Sequence, residues 1–219
     1  MLTILLRSTQ ELSLPSLRQT KITDPLAILR GSEVERIAPQ LIGMILSTTI
    51  DGITTSGIIR EVEAYSFKER GCHAYNKKHT PRTSTMFQEG GYLYVYLIYG
   101  IYPMLNLVTG PKEWPEAVLI RSIEPVEGIP TQLKRRGKNQ FHAKEFSGPG
   151  KVAQALGIKT KHNGLLLDKD LITLQEGESA RPLVKGPRIG IDYAGQDALL
   201  PWRWADAQSD FVSHRKGLL

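Results

Sequence analysis

One stretch constrains the chain more than any other: Gly91-Tyr92-Leu93-Tyr94-Val95-Tyr96-Leu97-Ile98-Tyr99-Gly100-Ile101-Tyr102-Pro103. Five tyrosines fall between Tyr92 and Tyr102. Aromatic and β-branched residues at this density predict a strand. Tyr92, Tyr94, Tyr96 and Ile98 share one parity, and Leu93, Val95, Leu97 and Tyr99 share the other. Large side chains therefore project on both faces, and neither is a plain solvent face. Gly100 permits a tight reversal, and Pro103 is expected to resist staying in a ladder. Residues 104–109 then read as the returning strand. The expected object is a hairpin with aromatics at its tip. Two readings of the tyrosines stand side by side: a core strand, or a protruding wedge that meets flat partners such as nucleobases.

With 219 residues the chain can bury a full core, and it fits one large domain better than two small ones. A hydrophobic share of 41% with 23% charged residues is that of a soluble globular protein. The formal charge of +6 suits a polyanionic partner without specifying one. The single cysteine, Cys72, excludes an intramolecular disulfide and a multi-cysteine zinc site. The five histidines lie far apart, with no H-x-x-x-H spacing, so no metal is expected. The apolar residues 1–6 end at Arg7, too short a run for a signal-peptide core or a membrane span. The expectation is a soluble, intracellular protein.

Along the chain, residues 1–23 are weakly patterned and are expected to be peripheral. Asp24-Pro25 marks a helix or turn start. Ser32-Glu33-Val34-Glu35 matches a capping box, and Pro39 should shorten the helix that follows. Residues 44–50 read as a strand, Asp51-Gly52 as a two-residue hairpin turn, and residues 53–62 as the returning strand. That strand delivers Glu61, Glu63 and Tyr65. Residues 66–90 form a long basic loop carrying Arg82. Residues 117–120 make another strand ending in Arg121. The basic residues of 125–146 are read mostly as a solvated loop. Ser147-Gly148-Pro149-Gly150-Lys151 opens a short helix over 152–156 with Gly157 as its stop, a start that suits a phosphate. Residues 165–191 read as strands and turns, and the tail over 202–213 as closing the sheet. Strands and helices do not alternate, which predicts a mixed α/β (α+β) domain with a mostly antiparallel sheet.

Glu63 and Arg121 both emerge from apolar strands. They could form a structural ion pair, or the carboxylate could act as base on a water held in a cleft. The order of motifs narrows this. Glu61-Val62-Glu63-Ala64-Tyr65 is followed by Cys72-His73-Ala74, Thr80-Pro81-Arg82 and Met86-Phe87. Then come Tyr94-Val95-Tyr96-Leu97-Ile98-Tyr99-Gly100, Leu105-Asn106 and Leu119-Ile120-Arg121-Ser122-Ile123-Glu124-Pro125. Ser147-Gly148-Pro149 and Arg188-Ile189-Gly190 complete the set. In this order the chain resembles the alkyladenine (3-methyladenine) DNA glycosylase family from about residue 30 to about residue 205.

The resemblance implies a single domain on a curved antiparallel sheet with flanking short helices and a protruding tyrosine hairpin. It implies base-excision repair of damaged purines in double-stranded DNA, by a monomer without a cofactor. Glu63 matches the general base that activates water, and Arg121 a residue that helps hold that water, with the backbone carbonyl of Ile189 as a third contact. Tyr65, His73 and Tyr96 match the pocket around the extruded base. Tyr99 matches the side chain that fills the vacated space in the duplex. Asn106 matches the pocket residue that disfavours guanine. Lys151 and Arg82 are the expected DNA-backbone contacts. Two other readings are a glycosylase with lyase activity, using Lys151 as a Schiff-base lysine, and a DNA-binding module that releases no base. Cys72 reads as a small buried residue.

Overall fold

The computed structural model describes residues 24–168, 170–178 and 182–219; the expected peripheral segment 1–23 lies outside the described residues. Its strands are β1 (Ile45–Ile50), β2 (Ile53–Ser66), β3 (Leu93–Ile98), β4 (Tyr102–Thr109), β5 (Glu116–Glu127), β6 (Ile172–Gln175), β7 (Leu183–Gly186) and β8 (Arg203–Asp206). They form one sheet in the order β3-β4-β5-β2-β1-β6, with β8 pairing both β2 and β7. All the strand pairs are antiparallel. Among the described residues four short α-helices accompany it: α1 (Pro25–Leu29), α2 (Val34–Ile37), α3 (Ile129–Arg135) and α4 (Pro149–Ala155). This is the expected mixed α/β domain with a curled antiparallel sheet.

β2 is the spine. Its first half pairs β1 and its second half pairs β8, while its other edge pairs β5 from Ser56 to Ser66. The β1–β2 turn is Asp51-Gly52, both at positive φ (55° and 73°), as a two-residue hairpin turn requires. The β2–β5 ladder slips three times, first between Ser56 and Gly57, where Val126 is extra on β5, and twice more beside the acids. Ile59 faces Ile123 and Glu61 faces Ser122, so Arg60 is extra on β2. Glu61 faces Ser122 and Val62 faces Ile120, so Arg121 is extra on β5. Such bulges sharpen the twist and re-aim the extra side chain. Arg121 is thus mid-strand at a bulge, where the sequence places it at a strand end. Glu63 likewise stands three residues before the end of β2.

The tyrosine stretch forms a hairpin. β3 pairs β4 from Leu93↔Leu107 to Ile98↔Tyr102. Pro103 stays inside the ladder opposite Leu97, against expectation. The β4–β5 register runs only from Asn106, so this part of β4 has one open edge, and a residue without an N–H is accommodated there. The reversal centres on Tyr99 and Gly100, with φ of 52° and 72°, closed by the Ile101 N–H to Ile98 carbonyl bond of 3.1 Å. A tyrosine at positive φ is sterically disfavoured, and this one is also 88% exposed. The two readings of the tyrosines therefore divide along the hairpin: Tyr94 is buried, and the tip is not.

Other local expectations fare unequally. Asp24 caps α1 by accepting the Leu26 N–H at 3.0 Å, and α2 gives way to a 3-10 turn that carries Pro39. The capping box at Ser32 does not form: Glu33 holds the cap position without a side-chain bond. A tertiary partner replaces it, because the buried Glu116 carboxylate accepts the Val34 N–H at 3.2 Å. Residues 125–146 are not mainly loop. α3 lies there, with Arg135 on Thr55 Oγ1 (3.0 Å) and Arg136 on the Glu145 carbonyl (3.0 Å). α4 starts at Pro149, three residues earlier than expected, and stops before Gly157 as expected; β8 closes the sheet from the tail, also as expected. Among the described residues no helix is long and apolar enough to cross a membrane.

Candidate active site

Glu61, Glu63 and Tyr65 alternate along β2 with Val62 and Ala64, which belong to the main core. Strand geometry therefore turns the two acids and the tyrosine to the opposite face. There a cavity of about 430 Å³ opens. Eight of the ten expected site residues line it: Glu63, Tyr65, His73, Tyr96, Tyr99, Asn106, Arg121 and Ile189. It runs from a fully buried carboxylate, Glu63, to the exposed tip residue Tyr99. Lys151 and Arg82 do not line it. Lys151 donates from Nζ to the Lys144 carbonyl at 2.6 Å, and burial holds its pKa below the usual lysine value.

Glu63 is held on both oxygens. Oε1 accepts the Ile189 N–H at 2.7 Å. Oε2 accepts the Tyr65 hydroxyl at 2.8 Å and stands 3.2 Å from Arg121 Nη1. Ile189 thus meets the site through its N–H, where the sequence reading invoked its carbonyl. Arg121 is shared with a second acid: its Nε donates to Glu61 Oε1 at 3.0 Å and its Nη2 to Ser213 Oγ at 3.2 Å. Glu61 also takes Arg203 Nη1 at 3.1 Å and the Ser213 N–H at 2.7 Å. Two acids thus meet two arginines in a region closed to solvent, which is how buried charge is tolerated. The functional and structural readings of the Glu63–Arg121 pair are therefore compatible.

The aromatic walls are locked by one another. The His73 ring meets Tyr96 edge-on at 4.6 Å, and Tyr94 lies 5.3 Å from Tyr96. His73 Nδ1 is 2.9 Å from the Tyr94 hydroxyl. Asn106 on β4 is buried, its Nδ2 tied to the Tyr94 carbonyl at 3.0 Å. Burial pushes the Tyr94 phenol up to about 12 and the Tyr65 phenol well above its ordinary value, so both stay protonated donors at neutral pH. Burial also pushes the Cys72 thiol up to about 12, which leaves no thiolate nucleophile beside His73.

Four contributors were not singled out as site residues from the sequence. Glu61 shares the parity of Glu63 on β2, a signal that was there to use. Tyr94 stands in the tyrosine run itself. Arg188 grips Glu69 with both nitrogens (2.7 and 2.8 Å) and lies 4.8 Å over the Tyr65 ring. Tyr193 lines the cavity from the 3-10 segment Asp192–Leu199, and nothing local in the sequence marks it.

Burial, reinforced by the Arg82 guanidinium, holds His73 down at about 4. An unfolded histidine titrates near 6.5, at about that reference value. The folded state therefore prefers the neutral ring. The stability this provides is complete above the unfolded value and is lost as pH falls from there toward 4. Melting temperatures of wild type and His73→Gln, measured from pH 7 to pH 4, should converge as pH falls. A constant gap would mean that His73 is not held neutral.

A buried carboxylate–guanidinium pair that opens through an aromatic box toward an exposed aromatic tip suits hydrolysis at a flat, ring-bearing substrate. Known proteins agree. A family model described as methylpurine-DNA glycosylase (MPG) matches residues 29–210. A protein of Bacillus cereus (strain G9842), whose name gives 3-methyladenine DNA glycosylase as a provisional designation, is 39% identical over 203 residues. The match covers 87% of this chain and 98% of the relative. A protein of Chlamydia felis (strain Fe/C-56) with the same designation is 40% identical over 182 residues, covering 82% of this chain and 94% of the relative. The chain belongs to the methylpurine-DNA glycosylase family. Membership implies DNA binding, hydrolase chemistry and a place in base-excision repair of alkylated purines.

Proposed function

We propose that this protein flips alkylated or deaminated purines out of duplex DNA and hydrolyses the N-glycosidic bond with a water activated by Glu63, leaving an abasic site. The observation that carries the reading is the setting of Glu63. A carboxylate offers about four acceptor positions. The Ile189 N–H and the Tyr65 hydroxyl take two of them, and Arg121 Nη1 stands 3.2 Å from Oε2 as an ion-pair partner. A remaining position is the one a water's proton would use. Arg121 helps hold that water, with the Ile189 backbone beside it. The carboxylate also supports positive charge developing on the sugar.

A base inside a duplex cannot be reached, so it must be unstacked at a cost of a few kcal/mol. Stacking on Tyr65, His73 and Tyr96 returns about 1–3 kcal/mol per base and tolerates different purines. Tyr99, carried on the exposed turn, enters the duplex and fills the gap. Asn106, buried and tethered, obstructs guanine's exocyclic amine. Backbone contacts come from Lys151 and from the 66–90 loop. The protein acts as a monomer inside the cell, with no cofactor.

The reading is monofunctional. A lyase needs an amine at the sugar, and among the described residues no lysine lines the cavity. Base release from duplexes that each carry one defined lesion tests the activity. Borohydride trapping on abasic DNA tests the lyase alternative, and binding without release would instead support a damaged-DNA-binding module. A further expected outcome concerns Lys151→Ala. If Lys151 touches one phosphate, the slope of log affinity against log salt should flatten by about 0.9. An unchanged slope removes Lys151 from the interface.

A further inference from the structure

Both stacking walls of the cavity carry a guanidinium. Arg188 lies 4.8 Å over Tyr65, and Arg82 lies 5.1 Å over Tyr96. The two differ in how their charge is met. Arg188 is buried and neutralised by its two-pronged grip on Glu69. Arg82 is exposed on the loop before β3, and among the described residues no carboxylate forms an ion pair with it. Its Nη2 is 3.3 Å from His73 Nε2. A guanidinium can only donate, so His73 Nε2 accepts, the ring proton sits on Nδ1, and Nδ1–H donates to the Tyr94 hydroxyl. Arg82 therefore orders the outer wall from outside the cavity. The sequence reading gave it a DNA phosphate; this geometry gives it a second task.

Resting on the excision of damaged purines proposed above, we propose that Arg82 is a specificity-determining residue: its guanidinium against Tyr96 and His73 handicaps positively charged bases relative to neutral ones. A purine alkylated at a ring nitrogen, such as 7-methylguanine in DNA, is a cation and is drawn to electron-rich ring faces. A cation already on Tyr96 takes up part of that ring's negative potential and repels the incoming charge. A neutral deaminated base, hypoxanthine, stacks through dispersion and buried area, which the charge leaves untouched. Arg82 thereby broadens the pocket toward neutral lesions and acts through the wall as a positioning residue.

The test compares wild type, Arg82→Gln and Arg82→Lys. Each is measured in single-turnover excision at subsaturating enzyme on duplexes that differ only in one 7-methylguanine or one hypoxanthine. The assay runs at pH 8, above the ordinary histidine value, so that His73 is neutral in every variant. The ratio of 7-methylguanine to hypoxanthine excision should rise in Arg82→Gln by about 2- to 30-fold, the range a cation–π contact spans. Arg82→Lys keeps a charge without the planar stack and should give a smaller rise. Salt dependence of binding is measured in parallel. Equal loss on both lesions with a flatter salt slope would make Arg82 a phosphate contact only and overturn the proposal, as would a ratio that stays constant with nothing else changed. A wild type that releases neither base overturns the functional reading and this proposal together; wild-type release with a constant ratio overturns this proposal alone.

Discussion

Glu63→Gln should abolish release of neutral damaged purines while leaving lesion binding in place. Glutamine has nearly the same shape but cannot take a proton from water, and it brings no negative charge to the sugar. General base catalysis alone contributes about 10²–10⁴-fold, and the lost charge adds to that. A cationic alkylated base departs readily and should show residual release. Binding survives because the aromatic walls and Tyr99 are untouched. The side chain's partners add a stability effect. Glu63 accepts from Ile189 on one oxygen and from Tyr65 on the other, which also faces the Arg121 guanidinium at 3.2 Å. An amide has only one oxygen, so its NH₂ must face either the Ile189 N–H or the Arg121 guanidinium. One buried donor loses its acceptor, at a cost of about 1–3 kcal/mol. The melting temperature should therefore fall without loss of cooperative folding. Near-normal excision would make Glu63 a structural partner of Arg121 and place the base elsewhere. Loss of both binding and cooperative melting would indicate misfolding instead.

Tyr99→Ser should lose excision from duplex DNA without losing stability. The side chain is 88% exposed and sits at a positive φ, so the fold gains little from it. A serine cannot fill the space left by a base. Losing one aromatic stack forfeits about 1–3 kcal/mol, roughly 5- to 150-fold in the flipped population. The variant should bind lesion and undamaged duplexes with little difference. A lesion in single-stranded DNA needs no gap filled, so its excision should change less. Fluorescence of a reporter base at the lesion, read beside excision, separates flipping from chemistry. Unchanged duplex excision would sink the wedge assignment.

The tyrosine hairpin was legible because strand periodicity and turn chemistry are local. Alternating side chains, Gly100, and the Asp51-Gly52 turn act over two to four residues, and the structure keeps all of them. The same holds for Asp24 at the start of α1 and Gly157 after α4. The Ser32 capping box failed although its spelling was right: the cap falls on Glu33, and a carboxylate 82 residues away takes the Val34 N–H at the helix start. Pro103 stayed in its ladder because the neighbouring strand stops short of it.

By itself the sequence determined the antiparallel character of the sheet, the aromatic tip, and the placement of Glu61, Glu63 and Tyr65 on one face of a strand. These follow from a period of two and from residues that suit particular turns. The ordered motifs also pointed to the family. Tertiary structure alone decided which groups meet. It set Arg121 at a bulge between Glu61 and Glu63, brought the Ile189 N–H onto the carboxylate 126 residues away, and laid Arg82 against the pocket wall. The physical reason is that a buried charge must find its partners wherever the closed sheet brings them. Ladder register and bulges choose those partners, and neither is written in the spacing of residues along the chain.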